Sequence, residues 1–501
     1  FAIVKVPSDH LPRFIALPAE PGQHDLIMLD DIVRHSLSAM FPGYDILDTY
    51  SIKLTRDAEL YIDDEFSGDL IQKIKSSLGK RQVGPASRFV YDREMPASLL
   101  KFLMDTFNLS KMDLLEEGRY HNNFDFFSFP DFGKDYLKNV PLPPLPYEPL
   151  EQAPNIFNAI KKEDHLVAVP FHSYESVIRF FEEAAVDPEV TEIKITQYRV
   201  ASVSRIMKAL TKAVRKGKKV FAFVEVKARF DEEANLDWGE KLQKAGVRVT
   251  YSFPGVKVHC KMAMVVRKEK QKLQRYIYLS TGNFHEGTAR IYADLGVFTV
   301  HPSLVKEVGW LFDYLETEQM PEKDFSHLMV GKFKLRPNLE GLIDQEIKNA
   351  KEGKSAEIFL KMNSLQDQQM IDKLYEASQA GVRVRLIIRG ICSIIPGEKK
   401  LSENIRAISI VDRYLEHARV FVFYNNGKQK VLLSSADWMT RNLSYRIETV
   451  FPIYDKNVKQ QILDMLDLQW RDNMKARILE GGMKNRYQKT EDQEIQSQLA
   501  T

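Results

Sequence analysis

The sequence predicts an α/β protein in which two duplicated α/β domains follow an α+β head domain. Three observations carry this reading: a strand–helix–glycine–strand unit that occurs twice, a histidine motif that follows each copy, and a proline cluster that precedes the pair.

In the first copy, Thr191 to Ile195 reads as a strand, Ser204 to Arg215 as a helix closed by Gly217, and Val220 to Val226 as the next strand. In the second, Ala356 to Leu360, Gln368 to Gln379, Gly381 and Val382 to Ile388 repeat that order. An amphipathic helix between two apolar strands is the βαβ pattern of a parallel sheet. A glycine just past the helix supplies the left-handed cap. Each copy continues to a strand carrying a histidine, Val256 to Lys261 and Leu415 to Arg419. Each then reaches a strand ending in a small polar turn, Leu279 to Asn283 and Leu432 to Asp437. Agreement of so many features in one order indicates duplication.

Pro141, Pro143, Pro144 and Pro146, with Pro149 and Pro154 behind them, cannot continue a helix or a central strand and form a stiff spacer. A weaker boundary is expected near residues 320–336, where Pro321 interrupts the pattern and Pro337 follows. Domains are therefore expected at 1–145, 146–325 and 326–501. The head mixes a strand at Asp48 to Leu54 with helices at Leu70 to Leu78 and Ala97 to Phe107.

A chain of 501 residues exceeds one hydrophobic core, and 44% hydrophobic with 28% charged residues is ordinary for a globular protein. No apolar run reaches the length of a membrane span. Phe1 to Lys5 contains neither an initiator Met nor a signal pattern, and an upstream segment is expected. Two cysteines, Cys260 and Cys392, cannot build a disulfide framework or a zinc site and suit a reducing cytoplasm. Cys260 reads as a small core side chain. The net charge is +2, so a polyanion partner would need a local basic site.

Positions i and i+2 of a strand share a face, so His259 with Lys261 and His417 with Arg419 are expected to project together. A neighbouring cation favours the neutral, nucleophilic imidazole and also attracts phosphate. Two such histidines meeting at one interface would flank a phosphorus atom. Arg199, Arg229 and Arg389 each lie just past an apolar strand, where ligands of a parallel sheet collect, although Arg199 or Arg229 could equally pair with Asp231 or Glu232. Glu225 and Arg389 stand at equivalent positions, each eight residues past its glycine. Lys332, Lys334, Arg336, Arg441 and Arg446 could line a polyanion path or form a solvated face. His172 and His285 show no paired spacing and read as structural, and no function follows from the polar tail from Lys484.

The motif His259-x-Lys261 followed by Ser280-Thr281-Gly282-Asn283 resembles the phospholipase D superfamily. More closely, the chain resembles the histidine-phosphorylating class of polyphosphate kinases. The matching stretches are Leu11 to Phe14, Ile195 to Val200, Val224 to Glu232, Val258 to Lys261, Ser280 to Phe284, Thr288 to Asp294, Ile388 to Cys392 and Ser434 to Asn442. The resemblance implies two phospholipase D-like α/β domains and a reversible transfer of the ATP terminal phosphoryl group to polyphosphate. It implies phosphorylation of His259, a role in ATP binding for Tyr292, Arg389 and His417, and a place near the magnesium-bound phosphates for Arg199 and Arg229. Guanidinium has no lone pair for Mg²⁺, so these arginines would act through phosphate oxygens. It further implies ATP, ADP and polyphosphate as partners, a homo-oligomer, no nucleic acid, at most peripheral membrane association, and an N-terminal helical domain absent from this stretch. Val265 and Val266 stand where the superfamily often has an Asp, and Arg419 where Lys is usual, which argues against an ordinary phosphodiesterase. Two other readings stay open: a diester hydrolase using the same histidines, and a polyanion-binding protein without activity.

Overall fold

A computed structural model describes residues 1–56, 70–77, 86–201, 203–228, 231–482, 484–490 and 493–501. They fall into two compact units that divide between Leu142 and Pro143, with residues 70–71 grouped with the second.

In the first unit, Phe14–Leu17 and Asp25–Met28 form an antiparallel hairpin. A three-stranded sheet joins Ile52–Arg56, Ala86–Asp92 and Leu114–Glu117, and the helix Ala97–Phe107 packs on it through Phe89, Met95, Leu103 and Leu109. The strand expected from Asp48 begins only at Ile52. The Asp48 carboxylate accepts from the Thr49 N–H and the Tyr50 hydroxyl, and this local bonding competes with strand pairing. The helix expected at Leu70 to Leu78 is seen as Leu70–Ser77, and Leu78 lies outside the described residues.

The second unit contains both copies of the repeat. The first copy supplies β1 (Val190–Gln197), α1 (Arg205–Arg215), β2 (Lys219–Val224), β3 (Lys257–Val258), β4 (Lys261–Glu269), β5 (Lys272–Ser280) and β6 (Tyr292–Thr299). The second supplies β7 (Glu357–Met362), α2 (Gln368–Gln379), β8 (Arg383–Ile388), β9 (Leu415–Glu416), β10 (Arg419–Phe423), β11 (Lys430–Ser434), β12 (Arg446–Ile447) and, at its end, α3 (Ser497–Ala500). β1 and β2 pair in parallel, as do β7 and β8, so both βαβ units form. Ser204 and Asp367 cap the two helices by accepting from the N–H groups of Met207 and Met370. Gly217 and Gly381 follow them at φ +81° and +91°, where a Cβ would be strained.

The strand order β5-β4-β1-β2 in one eight-stranded sheet is repeated as β11-β10-β7-β8 in the other. One apolar core contains Met262, Met264, Ile277 and Leu295 of the first copy with Val420, Val422, Leu433 and Phe451 of the second. The two copies therefore share buried surface and form a single unit. Pro337 follows the weaker boundary at the start of a helix. It lies in the first turn of the helix Leu335–Lys351, where a missing N–H costs nothing. No helix among the described residues is long and apolar enough to cross a membrane.

The histidine strands depart from expectation. Each is interrupted at its histidine, so that Val256 to Lys261 contains only β3 and the start of β4, and Leu415 to Arg419 only β9 and the start of β10. The short pieces then pair with the opposite copy: β3 runs parallel to β12, and β9 parallel to β6. The N–H groups of His259 and Cys260 both donate to the Ile447 carbonyl, and those of His417 and Ala418 both donate to the Ala293 carbonyl. A shared acceptor at each histidine is the local reason the regular ladder stops there.

Candidate active site

The exchange of strands brings each histidine to a carboxylate of the other copy. His259 Nδ1 lies 2.9 Å from the carboxylate of Glu448, and His417 Nδ1 lies 2.8 Å from that of Asp294. Each carboxylate is also bonded by a hydroxyl from its own copy's polar turn, Ser435 to Glu448 and Thr281 to Asp294. Asn442 adds a 2.7 Å bond to Glu448. Neither carboxylate was singled out from the sequence. A signal was present: Ser280 to Asp294 and Ser434 to Glu448 span fourteen positions each, within the duplicated turn and strand.

The basic residues stand beside the histidines, but not as side-by-side neighbours on one strand face. Lys261 Nζ donates to the His259 carbonyl and Arg419 donates to the His417 carbonyl. Arg419 also pairs with Asp437, and one of its N–H groups lies 3.2 Å from Nε2 of His417. Tyr198 sets its ring edge against His259, 4.6 Å between centroids at 88°, with Lys261 Nζ 5.3 Å from the same ring.

Electrostatics distinguishes the two histidines. Burial, then the charges of Lys261, Arg446 and Arg419, push the His259 imidazole well below its ordinary range, and His417 adds to the effect. Burial and these charges favour the neutral imidazole of His259. With its Nδ1 hydrogen on Glu448, the lone pair sits on Nε2, which has no hydrogen-bond partner among the described residues. Burial also lowers His417, opposed by Asp294. Its Nε2, however, faces Arg419. Burial raises Glu448 against the pull of Lys261 and Arg446, and lowers Lys261 to about 7. Cys260 is a buried core thiol, pushed up to about 12 by desolvation.

Tyr292, Arg389 and His417 come together. The Tyr292 and His417 rings are 5.1 Å apart, and Arg389 donates to the Glu416 carbonyl at 2.7 Å and to the Asn363 side chain. Glu225 and Arg389, equivalent in the repeat, do equivalent work on opposite groups. Glu225 accepts from the N–H of Val258, and Arg389 donates to the C=O of Glu416, each gripping the residue directly before a histidine. Arg199 forms an ion pair with Asp231 at 2.9 Å, and Arg229 lies outside the described residues. Lys334 and Arg336 are engaged by Asp324 and Asp367, and Lys332 by the Tyr314 hydroxyl. His172 and His285 each accept backbone N–H bonds and shape turns.

The carboxylates that hold His417 and Arg419 also anchor the site. Burial pushes Asp294 and Asp437 up, but His417 for the first and Arg419 for the second outweigh it and hold each at about 2. A carboxyl depressed on folding adds stability above its unfolded value and loses it as pH falls toward the folded one. Each should contribute on the order of 2 kcal/mol at neutral pH, lost between about pH 4 and pH 2. Urea unfolding at stepped pH measures this, and a midpoint unchanged over that interval contradicts it.

Fold and site together define the class: a duplicated α/β protein with one motif histidine per copy, each held by a carboxylate of the other and accompanied by a cation. Residues 1–129 match the polyphosphate kinase middle domain, 155–321 the polyphosphate kinase C-terminal domain 1, and 328–498 the polyphosphate kinase C-terminal domain 2. A polyphosphate kinase of Vibrio cholerae is 45% identical over 507 residues, covering 100% of this chain and 72% of that protein. One from Escherichia coli K12 is 44% identical over 495 residues, covering 97% and 72%. The crystal structure of polyphosphate kinase from Porphyromonas gingivalis superposes with a TM-score of 0.83 at 39% identity, covering 99% of this chain and 73% of that one. The chain belongs to the polyphosphate kinase family.

Proposed function

We propose that this chain moves the terminal phosphoryl group of ATP onto inorganic polyphosphate, in either direction, through a phosphohistidine at His259. The observation that carries this reading is His259 itself, whose Nδ1 is held by Glu448 while its Nε2 bonds no described residue. Nε2 attacks the terminal phosphorus, an N–P bond forms, and the bond to the bridging oxygen breaks with that electron pair leaving on ADP. The terminal oxygen of polyphosphate then attacks the same phosphorus, a P–O–P link forms, and the N–P pair returns to Nε2. The Nδ1 hydrogen stays on the Glu448 side throughout. Two covalent steps replace one difficult displacement.

Lys261, Arg389 and Arg446 supply positive charge around the transferred group. A phosphate dianion beside Lys261 would counter the burial that lowers it. Arg446 acts electrostatically on His259, Lys261 and Glu448, which supports a phosphate-gripping role for this member of the proposed basic path. His417 stabilises the phosphoryl group or manages the proton of the leaving or entering oxygen, and Tyr292 serves the nucleotide. Arg199 and Arg229 would hold the magnesium-bearing phosphates, Arg199 by exchanging Asp231 for a phosphate.

Among the described residues no group of three or more His, Cys, Asp and Glu side chains could hold a metal ion, and Asp294, Asp437 and Glu448 are engaged by histidine or arginine. That donor set does not fit a resident Mg²⁺, so Mg²⁺ is proposed to arrive as MgATP, ligated by phosphate oxygens and water. Self-association and a cytoplasmic location belong to the same reading, carried by the family likeness.

Incubation with ATP labelled on its terminal phosphate tests the proposal. Acid-labile, base-stable label on the protein, transferable to polyphosphate, is the expected result. Hydrolysis of a diester without ATP would favour the phosphodiesterase, and polyphosphate binding without labelling would favour a binding protein.

A further inference from the structure

β9, which leads into His417, is only two residues long and has one partner strand, β6. Its other side is closed by side chains. The Gln498 amide takes the place of a strand: its Oε1 accepts from the Tyr414 N–H at 2.8 Å, and its Nε2 donates to the Tyr414 carbonyl at 2.9 Å. The same Nε2 donates to the Glu416 carboxylate at 2.6 Å. Glu416 is 2% exposed and is further bonded by Lys361 at 2.6 Å and by Gln469. Gln498 is itself 2% exposed, held there because the Ser497 N–H and hydroxyl both donate to the buried Asp472. Gln496 bonds Asp412, and Ile495 exchanges bonds with Asn473.

A buried amide satisfied wholly by the backbone and carboxylate flanking a catalytic-type histidine is a costly arrangement unless every bond is made. It also fixes the chain on both sides of position 415. We infer that Gln498 is a positioning residue for His417, acting through Tyr414 and Glu416, so that the C-terminal segment holds the second histidine in register. The inference rests on the proposed role of His417.

Gln498→Met, of similar volume but without hydrogen bonds, tests it in the full-length chain, with Gln498→Asn as the milder second variant. Hydrogen exchange at the Leu415 and His417 amides, which donate to Ile291 and Ala293, should quicken about tenfold in Gln498→Met. The amides at His259 and Cys260 should not change. Turnover should fall about tenfold to a hundredfold with the thermal midpoint shifted by only a few degrees and with the asparagine variant intermediate. Unchanged exchange at 415–417 overturns the clamp. Wild-type turnover in Gln498→Met, with the parent chain active, overturns the positioning role. If the parent chain transfers no label, the functional proposal fails while the exchange measurement still decides whether Gln498 holds the segment.

Discussion

His259→Ala is expected to lose the acid-labile label completely and to lower transfer from ATP to polyphosphate by at least about 10⁴-fold, the scale on which removing a covalent nucleophile acts. The residue is 8% exposed, its ring bonds only Glu448 among the described residues, and its backbone N–H remains free to bond Ile447 after truncation. The fold should therefore survive, and circular dichroism of the variant checks that it does. Label persisting in His259→Ala, at wild-type stoichiometry, would remove this residue from the chemistry and shift attention to His417.

The second large effect concerns the carboxylates. Glu448→Gln keeps the shape of the side chain, but its single oxygen can accept from only one of Ser435 and Asn442, and it no longer presents an anion to Nδ1 of His259. The amide can offer its NH₂ group instead, which would favour the tautomer with the hydrogen on Nε2 and hide the lone pair. Loss on the order of 10³-fold in the rate of histidine labelling is expected, comparable to removing the orienting carboxylate of a catalytic triad. Rapid-quench measurement of the labelling burst is the direct readout. Asp294→Asn should instead slow delivery of the phosphoryl group more than labelling, because Asp294 orients His417. A burst unchanged in Glu448→Gln would mean that His259 needs no partner to choose its tautomer. The two substitutions exchanging their effects would reverse the roles assigned to the histidines.

Much of this arrangement was legible in the amino-acid order. The helix Gln368–Gln379 follows the expected limits, and the capping residues Ser204 and Asp367 with Gly217 and Gly381 mark where the helices start and stop. These are short-range effects, in which a side chain acts on backbone groups a few residues away, so they are written locally. The repeat in strand order and the two histidines follow from the same local patterning. Arg419 does stand with His417 as expected, 3.2 Å from its Nε2, but not by way of a shared strand face. That expectation assumed a continuous strand, whereas His259–Cys260 and His417–Ala418 leave the ladder to bond single carbonyls of the opposite copy. Periodicity describes a strand that keeps its neighbours and carries no record of one that changes sheets.

What the sequence determined by itself is a duplicated α/β chain bearing one motif histidine, His259 or His417, and one small polar turn per copy, because apolar spacing and turn chemistry act over a few residues. What only the tertiary structure decided is which carboxylate serves which histidine. Glu448 lies 189 residues from His259 and Asp294 lies 123 from His417, and each pair exists because the two copies exchange short strands across a shared core. Burial at that core strips water from the imidazole of His259 and favours its neutral form, an effect of surroundings that come from both halves of the chain at once.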